Sequence, residues 1–152
     1  MSISDLLFGK KKTFDHPVLG TLKSDRIKGD NQTKTYTWRG SLLVSPNSME
    51  TLFYLEGNNA APFSNHTDFV CQLAENWHSE HLPNIEEKIN KKGIDKVEPF
   101  SNWKKDLYLA AIYAANKKNT DFELTLEPID NENLDAIGID VKNGMITNVE
   151  IY

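Results

Sequence analysis

The feature that most constrains this chain is an unbroken apolar run at 107–115, Leu-Tyr-Leu-Ala-Ala-Ile-Tyr-Ala-Ala. Its nine residues are about half of what a membrane-spanning helix needs, so the rest of the protein must shield it from water. Lys104 and Lys105 precede the run, and Lys117 and Lys118 follow it. That setting predicts a helix over 102–118, capped by Ser101, with the last lysines opposing the helix dipole. A segment apolar nearly all round is expected to be the most buried helix of the fold. The whole chain has 152 residues, enough for one domain (1–152) that buries about two-thirds of its unfolded surface.

A first helix is predicted over 68–81. Phe69, Val70, Leu73, Ala74 and Trp77 recur at helical spacing behind Thr67 as N-cap. Pro83 should break or restart it, and Ile85 to Ile89 continue it as far as Gly93. Strands are expected before the helices, at 14–22 with Pro17 at a strand start or edge, at 35–44 with Gly40 as a bulge, and at 49–55. Turns are expected at 28–32 and 45–48. After the helices, Phe122, Leu124 and Leu126 alternate with Glu123, Thr125 and Glu127 up to Pro128. Ile137, Ile139 and Val141 alternate again ahead of Lys142-Asn143-Gly144.

The register of the last hairpin can be argued from its faces. A two-residue Asn-Gly turn would pair Ile139 with Asn148 and Ile137 with Glu150, mixing apolar and polar sides. A three-residue loop with Gly144 left-handed pairs Val141 with Met145, Ile139 with Thr147 and Ile137 with Val149, and is the expected form. The order of strands, two helices and strands gives an α+β fold: a two-layer, mostly antiparallel sheet with two main helices packed on one face.

Charge is unevenly placed. The chain carries 17 basic and 22 acidic side chains, a net of −5. Residues 1–76 balance, whereas 119–152 carry eight carboxylates against Lys142 alone. Nucleic acid is not an expected partner: Arg26 and Arg39 are the only arginines, and exposed aromatic residues interleaved with basic ones are not evident, since Trp38, Trp77 and Trp103 are expected to anchor the core. The polar face of the C-terminal strands presents Asp121, Glu123, Glu127, Asp140 and Glu150, with Asp130 and Glu132 in the adjoining loop. These seven are the candidate partner-binding residues, suited to a basic surface. The same residues also read as a solvated face that keeps a protein soluble.

Cys71 is the lone cysteine, which excludes an internal disulfide and fits a reducing, cytoplasmic setting. No apolar stretch follows the early lysines, so neither a signal peptide nor membrane insertion is expected. On the first predicted helix Cys71, Glu75 and His78 share a stripe, the kind of donors a zinc ion takes. One helix rarely supplies every ligand, and His16 or His66 would have to come from elsewhere, so neither a metal nor a cofactor is expected. Cys71 and His78 stand two turns apart, about 10 Å, too far for a nucleophile and its base. No nucleophile elbow or phosphate loop is present, no catalytic residue is assigned, and the chain reads as a non-enzyme.

The opening Phe14-x-His16-Pro17-x-Leu19-Gly20-x-Leu22, the Trp38-x-Gly40 that follows, and the ending Ile137-Gly138-Ile139-Asp140-Val141…Gly144-x-Ile146…Val149-x-Ile151 resemble immunity proteins of bacterial polymorphic or contact-dependent toxin systems. The resemblance covers about half of the chain. It implies a cytoplasmic antitoxin that binds one cognate toxin domain, often a nuclease, and blocks it. A nuclease must be basic to hold phosphate, so an acidic inhibitor exploits the same field. Two other classes are carried alongside it. One is a small metal-dependent hydrolase built on Cys71, Glu75 and His78. The other is an adaptor or homodimer using the 49–55 strand, or the strand ending in Tyr152, as an open edge. Monomer and homodimer both remain open.

Overall fold

The computed structural model describes residues 2–29, 33–46, 48–115, 120–130 and 133–152. Among them, eight strands form one sheet in chain order: β1 (Lys10–His16), β2 (Gly20–Ile27), β3 (Tyr36–Leu42), β4 (Thr51–Gly57), β5 (Leu107–Ala114), β6 (Phe122–Pro128), β7 (Ile137–Lys142) and β8 (Met145–Ile151). Neighbours are antiparallel except β4 and β5, which run parallel. A parallel pair needs a long crossover, and here it holds α2 (Ser64–Glu75), α3 (Leu82–Lys92) and α4 (Trp103–Asp106). A further helix, α1 (Ile3–Phe8), precedes β1. No helix among the described residues is long and apolar enough to cross a membrane. The fold is thus mixed α/β with a mostly antiparallel open sheet.

The largest correction concerns the apolar run. The predicted 102–118 helix is replaced by the four-residue α4 and then β5, which is hydrogen-bonded to β4 on one side and β6 on the other. An apolar segment of this length is the signature of a doubly flanked central strand as much as of a buried helix. The helix propensity of its alanines is a weak preference that tertiary pairing overrides. Ala110 is the extra residue of a bulge, since Leu109 pairs with Leu126 but Ala111 with Thr125. Beside that bulge, buried Thr51 donates its hydroxyl to the Leu109 carbonyl at 2.6 Å. The flanking Lys117 and Lys118 lie outside the described residues.

Smaller corrections follow the same logic of pairing. Residues 14–22 are not one strand: β1 and β2 form a hairpin, and His16 Nδ1 accepts from the backbone N–H of Val18 and Leu19 in its turn. Gly40 is no bulge but pairs in register with Phe53, whose ring occupies the space a Cβ would need. The first helix begins at Ser64 rather than behind a Thr67 cap, and Thr67 instead donates its hydroxyl to the Ser64 carbonyl. After α2 the chain widens into a π turn (Trp77–His81), in which the His81 N–H reaches the Asn76 carbonyl five residues back. Pro83 then restarts the helix as α3, which stops at Gly93 in the left-handed region (φ 70°), as expected.

The last hairpin takes a two-residue turn rather than the expected three-residue loop. Asn143 (φ 51°) and Gly144 (φ 76°) both adopt the positive φ of a type I′ turn, and Lys142 pairs with Met145. The mixing of faces is avoided by a bulge at Thr147. It brings Val141 opposite Ile146, Ile139 opposite Val149 and Ile137 opposite Ile151.

One side of the sheet is its core face. Trp38, Phe53, Leu55, Ile112, Phe122, Leu124, Ile137 and Ile139 are all buried there, and Leu73 of α2 and Ile85 and Ile89 of α3 belong to the same buried cluster. Phe69 of α2 stacks on Phe122 with ring centroids 4.1 Å apart. Lys92, at the end of α3, donates to the Val149 carbonyl of β8 at 2.7 Å.

Candidate functional site

Strand alternation sends every second side chain to the other, outer face, and register fixes which of them are neighbours. One row runs across the outer face as Lys23, Arg39, Tyr54, Tyr113, Glu123, Asp140 and Asn148, each directly paired with the next. The adjacent row runs Ser41, Leu52, Ala111, Thr125, Gly138 and Glu150. The outer face therefore grades from basic at β2–β3, through a mainly aromatic and aliphatic middle that also holds Glu56, to acidic at β6–β8.

The middle is exposed. Leu52 keeps 44% and Tyr113 42% of its surface in solvent. The Tyr54 and Tyr113 rings stack nearly parallel at 4.9 Å. At the acidic end the Tyr152 ring lies over Gly138, and a Cβ there would stand 2.2 Å from that ring. The Tyr152 N–H donates to the Ala136 carbonyl, which fixes the chain end in place. Burial pushes the Tyr152 phenol above its ordinary value, and Glu123, Glu150 and Asp140 push it the same way. The Tyr113 phenol is also raised, by burial first and then by Tyr54 and Glu127. Both phenols thus stay neutral donors beside the carboxylates. At the basic end Arg39 forms an exposed ion pair with Asp25.

The seven sequence-predicted residues divide accordingly. Glu123, Glu127, Asp140 and Glu150 share the outer face over three adjacent strands, and the Asn148 side-chain amide lies 3.4 Å from the Asp140 carboxylate. Asp121 serves the fold: its carboxylate accepts the Asn143 N–H at 2.9 Å and steadies the β7–β8 turn. Asp130 is exposed just past β6, in a shallow cleft with Glu127, Leu134 and Asp135. Glu132 lies outside the described residues. Sequence reasoning missed Leu52, Tyr54, Tyr113 and Tyr152. The alternation of Tyr54 with buried Phe53 and Leu55 was the available signal, but Tyr113 has no readable face while 107–115 is taken as a helix.

The alternative centre at Cys71, Glu75 and His78 does not assemble. The π turn breaks the stripe, leaving Cys71 half-buried and Glu75 and His78 exposed. Among the described residues no three His, Cys, Asp or Glu side chains are placed to hold a metal. Burial pushes the Cys71 thiol up, and Asp68 and Glu75 add to this, so the thiolate is disfavoured. A separate cleft of about 310 Å³ is lined by Met49, Trp77, Trp103 and Leu107, with His78 and Lys104 among its polar groups. Lys104 is already paired with Glu86 there.

No family model, no curated protein and no solved structure matches the chain.

Proposed function

We propose that the chain is a binding protein whose outer sheet face docks a basic protein surface. In the specific form the sequence resemblance implies, it is a cytoplasmic immunity protein that blocks a cognate toxin domain by covering it. The observation that carries this reading is the set Glu123, Glu127, Asp140 and Glu150, held on three adjacent strands beside exposed tyrosines. Four carboxylates on a fixed lattice steer a basic partner, and flanking aromatic rings supply the apolar anchors that interfaces favour. In this reading the helices form a second layer over the core face, which leaves the outer face to the partner. The stacking of Phe69 on Phe122 and the reach of Lys92 to β8 support that layering.

The test is association kinetics with a basic toxin domain, such as the C-terminal domain of a neighbouring toxin. Reversing Glu123 and Glu127 to Lys should slow association by about tenfold or more at low salt and flatten its salt dependence, with the melting transition unchanged. An unchanged on-rate in a verified complex would remove the acidic strands from the interface.

A further inference from the structure

The outer face carries the complement of its own charge. By strand alternation and register, Lys11, Lys23, Arg26 and Arg39 occupy outer positions of β1–β3 against Asp15 and Asp25, while Asp5 of α1 bonds Arg26. The far end carries Glu123, Glu127, Asp140 and Glu150 against Lys142. Leu52, Tyr54 and Tyr113 lie midway between them, on the central β4–β5 pair, with Glu56 as the carboxylate on the outer side of β4.

We infer that this face closes on the same face of a second copy of the chain, forming a two-fold sandwich dimer whose axis runs along the strands at the β4–β5 midline. That axis reverses strand order in the facing copy. It lays β2–β3 of one copy over β6–β7 of the other, sets Lys23 and Arg39 against Glu123 and Asp140 twice over, and brings the tyrosines and Leu52 together at the centre. A two-fold axis across the strands would instead set basic on basic and acidic on acidic, so the charge layout selects one arrangement. The size is sufficient. Eight strands at about 4.8 Å spacing and roughly 3.3 Å per residue along each strand give a face of about 800 Å², the share of one partner in a standard interface. The Arg39–Asp25 pair is exposed to solvent and therefore weak, so it is readily exchanged for an intermolecular one. This goes beyond docking of a basic domain: a partner taking the acidic half must first displace the second copy, and the two associations compete.

Sedimentation equilibrium of the full chain tests it without any partner. The expected result is a concentration-dependent dimer that weakens with salt. Arg39→Glu and Glu123→Lys should each raise its Kd by about tenfold or more. An equimolar mixture of the two variants should recover dimer at near the original Kd, because one symmetry-related contact then pairs the two unsubstituted side chains and the other pairs the two substituted ones with their charges exchanged. A misfolded variant cannot recover on mixing, so folding is checked within the experiment. A chain that stays monomeric well above micromolar concentration overturns the inference, as does a dimer indifferent to both substitutions. Neither outcome touches the docking of a basic domain, and a dimer that takes up no basic domain leaves this inference standing.

Discussion

The two faces of the sheet are drawn from alternate residues of the same strands, yet they do different work. On the core face a continuous band of large apolar side chains has almost no surface in solvent, from Trp38 across Phe53, Ile112 and Leu124 to Ile139. On the outer face the same sheet carries Lys11, Lys23, Arg26 and Arg39 at one end, a tyrosine pair in the middle and the carboxylates of β6–β8 at the other end, most of them exposed. The glycines make the contrast concrete. Gly40 makes room for the ring of Phe53, which is locked in the core, whereas Gly138 makes room for the ring of Tyr152, which is 61% exposed. Folding specifies the first face closely and constrains the second far less.

The sharpest way to break that comparison is to truncate one ring on each face. Phe53→Ala should cost about 3–5 kcal/mol of unfolding free energy, because the fully buried ring leaves a cavity. Tyr113→Ala should stay within about 1 kcal/mol, since its ring is half in solvent and loses mainly the stack on Tyr54. Urea denaturation of both variants decides it, and similar losses would mean that the outer face is part of the core.

The glycine pair gives a smaller effect in the same direction. A Cβ at Gly40 would stand 2.5 Å from the Phe53 ring, which has no free space to move into. Gly40→Ala should therefore destabilise by about 1–3 kcal/mol. At Gly138 the obstacle is the end of a C-terminal side chain that can swing into solvent. Gly138→Ala should leave the melting temperature within a few degrees while releasing Tyr152, visible as a change in its ring resonances.

How much of this was readable in the sequence depends on how locally each element is determined. The alternation at Phe122, Leu124 and Leu126 and at Ile137, Ile139 and Val141 reports one buried face directly, and β6 and β7 lie where it places them. The restart at Pro83 and the stop at Gly93 are likewise backbone effects of single residues. The 107–114 segment could not be settled locally, because apolar residues on both faces remove the periodicity that separates strand from helix. Only pairing with β4 and β6 decides it. The last hairpin hinged on a bulge at Thr147, and nothing in that stretch announces it without knowledge of which side is buried. The site follows the same division. The carboxylates of β6–β8 were legible by alternation, whereas the tyrosine centre and the basic end became visible only once β5 joined the two halves of the sheet.

The finest resolution of the outer face comes from its phenols. The neutral forms of Tyr152 and Tyr113 are favoured in the folded chain, so each titrates above the ordinary value of about 10. A raised folded value means that the associated stability is intact below that ordinary value and is lost as pH climbs through the folded one. The causes differ residue by residue. Although Glu123 is the register partner of Tyr113, the carboxylate acting on Tyr113 is Glu127, while Glu123 acts on Tyr152. In ring-carbon NMR titrations Glu123→Gln should therefore lower the Tyr152 midpoint and spare Tyr113, and Glu127→Gln should do the reverse. Burial is the first cause at Tyr152, so Gly138→Ala, which frees the ring, should lower its midpoint more than Glu123→Gln does. If both carboxylate substitutions moved both tyrosines alike, the outer face would act as a diffuse acidic field, and the row-by-row register on which the proposed docking and self-association both depend would lose its electrostatic meaning.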